Sequence, residues 1–130
     1  MKKEEVKLTQ QIKAGTSLLV KEVVEGVQDK KGRNIVVIDL QKLPDRVCDY
    51  MVIAEGNSPT QVEALEGAIY DRVQKQLSER PLHSHRGSGE WIAMDYGDVM
   101  VHLFVPPLRQ HYDLEGLWAD GEVTRLPDLD

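Results

Sequence analysis

The chain has little with which to cross-link itself or enter a membrane. Cys48 is the one cysteine in 130 residues. No internal disulfide is therefore available, which fits a reducing cytosol. No run approaches the roughly 20 apolar residues of a membrane helix. The opening MKKEEVKLTQQIKAGT is charged and lacks the apolar stretch of a secretory leader, so a cytoplasmic protein is expected. Bases are also in deficit, with 16 Lys and Arg against 22 Asp and Glu and a formal net charge of −6. Gripping phosphates needs clustered cations, so no direct nucleic-acid contact is expected. An acidic domain instead suits a basic protein partner, because opposite fields speed encounter.

Aromatics are scarce too, at 5% of residues, and their placement is uneven. Trp91, Tyr96, Phe104, Tyr112 and Trp118 share one short segment, and only Tyr50 and Tyr70 lie elsewhere. Large rings with a polar handle are favoured anchors at interfaces, so the stretch from Trp91 to Trp118 is where a partner contact is expected.

What remains is an ordinary globular domain, 41% hydrophobic and 29% charged. Its length fits one core without staples. Residues 1–16 read as a flexible N-terminal tail, 17–120 as the domain and 121–130 as a C-terminal tail. Leu18, Leu19, Val23, Val24 and Val27 recur at helical spacing, with Thr16 or Ser17 as cap and Gly32 as terminator. NIVVIDL (34–40) and CDYMVIAE (48–55) read as buried strands. Ser58 and Gln61 form a capping box with Pro59 at the first helical position. Val62, Leu65, Ile69, Val73 and Leu77 then line one face up to Pro81. LHSHR (82–86) reads as an edge strand, and 91–95 and 98–104 as a hairpin through Tyr96-Gly97. Asp113 is expected to cap a short helix containing LEGLW. The pattern predicts an α+β fold with one mixed sheet flanked by helices.

An even hairpin loop pairs Asp95 with Asp98 and Trp91 with His102. Ile92, Met94, Val99, Val101 and Leu103 then share one face. Trp91, Ala93, Asp95, Asp98, Met100, His102 and Phe104 share the other. The first set belongs against helices, and the second has the character of a recognition surface. A three-residue loop would scramble this segregation. The competing reading buries Trp91 and Phe104 as a minor core beneath the C-terminal segment.

Several chemical constellations compete with blander readings. Asp95, Asp98 and His102 suit a divalent ion or a shared proton, but aspartates also serve turns through local backbone bonds. His83 and His85 share a strand face, yet a closed zinc site needs four ligands. Cys48 lacks the electropositive setting of a nucleophile. Gly56-Asn57-Ser58 lacks the lysine and glycine spacing of a phosphate loop, and Gly56 is assigned the backbone angles of a turn. No catalytic residue, metal or cofactor is expected.

Cys48-Asp49-Tyr50, Gly56-Asn57-Ser58, Gln61-Val62, Trp91, Asp95-Tyr96-Gly97-Asp98, Val101-His102, Phe104, Arg109, Tyr112, Leu114-Glu115 and Leu117-Trp118 occur in that order. This set resembles the ribosomal silencing factor family, called RsfS, or Iojap in plants, over roughly residues 17–118. The chain departs from the pattern at Met51 and His111, where the family often has an aromatic. The resemblance implies a sheet and helices related to nucleotidyltransferases, without catalysis. It implies binding to the large ribosomal subunit through ribosomal protein fourteen, obstruction of subunit joining, repression of translation and, off the ribosome, a homodimer. On that reading Trp91, Tyr96, Phe104, Tyr112 and Trp118 supply apolar anchors. Asp95, Asp98 and Glu115 meet basic side chains, and His102 hydrogen-bonds at the centre. The alternative is a nucleotide-binding or nucleotidyltransferase-like enzyme. No carboxylate pair on a strand follows Ser58 at the distance metal-assisted phosphoryl transfer needs. A third reading, a structural dimerisation module, buries the same aromatic surface between two copies.

Overall fold

The computed structural model describes residues 17–129; the tail expected at 1–16 lies outside the described residues. Its elements run α1 (Leu18–Asp29), β1 (Arg33–Asp39), β2 (Tyr50–Glu55), α2 (Pro59–Leu77), β3 (His83–His85), β4 (Trp91–Asp95), β5 (Val99–Phe104), α3 (Pro106–Tyr112), α4 (Leu114–Leu117) and β6 (Glu122–Arg125). The six strands form one sheet in the order β3-β4-β5-β2-β1-β6. The central β2–β5 pair is parallel and its neighbours are antiparallel. This is the mixed sheet with flanking helices that the sequence pattern predicts.

The two long helices begin where their caps dictate. Ser17 Oγ accepts from Val20 N at 3.1 Å, and Ser58 Oγ accepts from Gln61 N at 3.2 Å. The capping box is displaced by one residue, because Gln61 Oε1 accepts from the N–H of Asn57, at 2.6 Å. Gln61 Nε2 also donates to the carbonyls of Lys30 and Lys31, which ties the start of α2 to the end of α1. Helix α2 stops at Ser78, which adopts a left-handed conformation (φ 55°), three residues before Pro81.

Two glycines are retained for space rather than angle. Neither Gly32 nor Gly56 has positive φ. Beyond α1 the left-handed residue is Lys31 (φ 59°), whereas a Cβ on Gly32 would stand 2.4 Å from Val27 Cγ1. A Cβ on Gly56 would stand 3.0 Å from Val62 N. The turn angles assigned to Gly56 are therefore corrected: the start of α2 approaches so closely that a Cβ there would have to push its backbone aside.

The sheet separates two apolar clusters. On one face Val20, Val23 and Val27 of α1 and Val62, Leu65, Ile69 and Val73 of α2 pack on Val52, Ile92, Met94, Val101 and Leu103. On the other, Val36, Ile38, Leu40, Cys48, Met51, Ile53 and Phe104 are covered by Leu108, Leu114 and Trp118 from the C-terminal segment.

The expected C-terminal tail at 121–130 is corrected. Residues 122–125 pair with β1, Val37 opposite Thr124, and Leu126 is buried in the helix-side core. At the opposite edge β3 is exposed but fastened to α2. Ser84 Oγ donates to Glu66 Oε2 at 3.0 Å, and Arg86 pairs with Glu66 Oε1 at 2.6 Å.

Candidate functional site

The hairpin sorts its side chains by face as the alternation predicts, with a different register. Four residues separate its last cross-strand pair, so Asp95 faces Met100 and Trp91 faces Phe104. That is two residues from the expected pairing. An even slip preserves which face each side chain takes. Ile92, Met94, Val99, Val101 and Leu103 accordingly lie fully buried under the helices. Gly97 takes the positive φ of 91° that the loop requires, and Asp95 Oδ1 accepts its N–H at 2.7 Å.

Cross-strand pairing lays out the opposite face in rows. One row runs His83, Asp95, Met100, Met51, Ile38 and Val123; the next runs His85, Ala93, His102, Ile53, Val36 and Arg125. Trp91 and Phe104 begin a third row. The C-terminal segment covers part of these rows, and the remainder is the candidate surface.

Trp91 is the hub. Its ring lies 5.0 Å from Phe104 and 4.7 Å from Tyr112, centroid to centroid. Its Nε1–H donates to His102 Nδ1 at 3.1 Å. Burial pushes the His102 pKa down to about 4, so the imidazole is neutral near pH 7, with its proton on Nε2.

Burial divides the nine candidate residues. Tyr112 is 48% exposed and Asp98 is exposed, while Trp91, Asp95 and Trp118 are half-buried. These five stay available to a partner. Phe104, at 1% exposed, and His102, at 7%, are corrected from surface anchors to the floor of the site. The reason is coverage: the C-terminal segment and Trp91 lie over them. Tyr96 is corrected more fully, because its ring joins the helix-side core, on the other side of the sheet. Its hydroxyl finds no hydrogen-bond partner among the described residues, and burial raises the phenol pKa. Glu115 is also corrected. Its carboxylate receives Arg109 Nε at 2.7 Å and Arg125 at 3.4 Å, and those bonds, Arg109's foremost, hold its pKa below the usual carboxylate range.

The other constellations resolve in physical terms. Among the described residues, no three His, Cys, Asp or Glu side chains come together to hold a metal ion, so Asp95, Asp98 and His102 do not form such a group. Cys48 is buried, and its Sγ lies 3.2 Å from the Tyr50 carbonyl. Loss of solvent pushes its pKa up to about 11. No helix among the described residues is long and apolar enough to cross a membrane.

Three further residues contribute to the surface, of which the sequence placed only Met100 on this face. Leu117 is 71% exposed and Val123 39% exposed, and Met100 is half-buried beside Asp95. The alternation places Met100 on this face, whereas Val123 was hidden by reading its strand as a tail. Buried Arg109 was recognised in the sequence pattern without a role.

The model of the family described as "Ribosomal silencing factor during starvation" matches residues 13–130. A ribosomal silencing factor RsfS from Chromobacterium violaceum is 35% identical over 96 residues, which cover 74% of this chain and 78% of that protein. A mouse protein named for mitochondrial assembly of the ribosomal large subunit is 30% identical over 102 residues, 75% of this chain and 43% of that protein. The crystal structure of a C. violaceum protein shares the fold with a TM-score of 0.72 and 34% identity, covering 78% of this chain and 83% of that one. The match in sequence spans the helices, the sheet and the covering segment alike. This chain belongs to the ribosomal silencing factor family.

Proposed function

We propose that this protein binds the large ribosomal subunit through ribosomal protein fourteen and represses translation by blocking subunit joining. It acts by occupying space in the cytoplasm, without catalysis or cofactor. The observation that carries this reading is the open side of the sheet. Tyr112 stands half exposed against Trp91, and the acids Asp95 and Asp98 lie at the loop end of the same hairpin. An aromatic anchor at one end of the hairpin and carboxylates at the other suit a partner with an apolar patch and basic side chains set apart from it. The family name points to the ribosome, and the mouse relative is named for the ribosomal large subunit.

An interface of the usual size, about 800 Å² per partner, draws most of its energy from a few such residues. Tyr112→Ala and Asp98→Lys are expected to weaken binding to purified large subunits at least about tenfold, roughly 1.4 kcal/mol, with the fold intact. Co-sedimentation measures this. Unchanged pelleting of both folded variants removes the patch from the interface.

A further inference from the structure

The surface around Trp91 is composite. Trp91 and Met100 stand on the sheet, whereas Tyr112 and Trp118 arrive on the C-terminal segment. That segment is built from helices of 7 and 4 residues, too short to hold a shape by themselves. Apolar packing beneath them is non-directional and does not alone fix how they lie. Something must set the register of Tyr112 against Trp91.

Arg109 has the required connections. It sits on α3 one turn before Tyr112, and it is 7% exposed. One guanidinium nitrogen donates to the Asn34 carbonyl at 2.6 Å and to Glu55 Oε2 at 2.9 Å. Its Nε donates to Glu115 Oε1 at 2.7 Å. These bonds join α3 to β1, to the end of β2 and to α4. The receiving groups are themselves fixed. Asn34 occupies an irregularity in β1 with φ 52°, and its amide donates to the same Glu55 oxygen at 3.1 Å. Arg125 of β6 reaches the other oxygen of Glu115.

A buried ion pair is a weak source of net stability but a strong geometric constraint. A guanidinium fork holds two directions at once, which an ammonium does not. We propose that Arg109 is a positioning residue that docks α3 and α4 on the sheet and so sets Tyr112 against Trp91 in the form a partner binds. This inference rests on the ribosome-binding reading. The helix-side core lies across the sheet and does not depend on Arg109.

The test compares Arg109→Lys with the triple variant Arg109→Met, Glu55→Gln, Glu115→Gln, which leaves no unpaired buried charge. Amide hydrogen exchange, the NMR contact between the Trp91 and Tyr112 rings, and co-sedimentation with purified large subunits are measured on the full chain. The triple variant is expected to keep protection in α1, α2 and the central strands. It loses protection over 106–118, loses the ring contact and binds at least about tenfold more weakly; Arg109→Lys falls between it and wild type. A wild-type ring contact in the triple variant overturns the proposal, as does unchanged affinity after the contact is lost. Global unfolding of both variants overturns it too, because Arg109 would then serve stability alone. If wild-type protein fails to pellet, the ribosomal reading fails, while exchange and ring contact still decide whether Arg109 docks the segment.

Discussion

The indole of Trp91 donates to Nδ1 of His102 across 3.1 Å, so the bond exists only while that nitrogen is unprotonated. The pKa of His102 lies near 4 in the folded chain, against about 6.5 for a free imidazole side chain. Between those values the unfolded chain binds a proton that the folded chain refuses, and stability falls as pH falls. The loss begins near pH 6.5 and completes near pH 4.

Between pH 7 and pH 5 this group alone is expected to cost about 2 kcal/mol of unfolding free energy. His102→Gln keeps an acceptor for the indole and removes the titration. Urea midpoints at the two pH values check it. Equal losses in wild type and His102→Gln would show that another group carries the acid sensitivity.

Arg72 ties the helices together at the surface. It bonds Glu22 at 2.8 Å and Asp29 at 3.0 Å, with Glu25 as a third carboxylate partner. The nearby acids, led by Glu25, raise its pKa, against the lowering effect of desolvation. Arg72→Met leaves three acids of α1 facing one another. A loss of about 1–2 kcal/mol is expected, smaller at about 1 M salt, where screening acts within roughly 3 Å. Thermal unfolding at low and high salt measures both; a salt-independent loss would assign the effect to packing.

Two helical glycines should respond in opposite directions. A Cβ on Gly67 meets nothing within 4 Å, so Gly67→Ala is expected to stabilise by about 0.5–1 kcal/mol through helix propensity. A Cβ on Gly26 stands 3.1 Å from Ile69 Cα, where the helices touch. Gly26→Val should cost about 1–3 kcal/mol by overpacking. Denaturant titration of the pair settles it, and a stabilised Gly26→Val would mean the helices separate freely.

Cys48 should be inert in the folded state. With its pKa near 11, the thiolate fraction at pH 8 is about a hundredfold below that of the same thiol exposed to solvent. Alkylation is then expected to accelerate as urea populates the unfolded chain. Rapid modification of native protein would contradict the burial.

Local chemistry was legible in the sequence where it has one solution. Ser58 and Pro59 define a helix start, and the alternation of 91–104 assigns each side chain to a face. The same alternation does not say which face becomes covered, so Phe104 and His102 read as surface although α3 and α4 lie over them. Tyr96 sits in the loop, where alternation gives no direction. Register differed by two because both even loops preserve the faces. Glu122–Arg125 carries little strand signal, and its conformation comes from its partner β1, a non-local cause. Arg109 belongs to the sequence pattern, but its role appears only where Glu55, Asn34 and Glu115 converge on it.

The pairing of β6 with β1 has a consequence for how the chain is born. During synthesis β1 emerges long before residues 122–125, and its outer row of backbone groups waits without a mate. An open strand edge of this kind invites pairing with other chains. A nascent copy therefore cannot complete its sheet until residues 122–125 clear the exit tunnel, so termination upstream of them should yield a sticky product rather than a shortened working one.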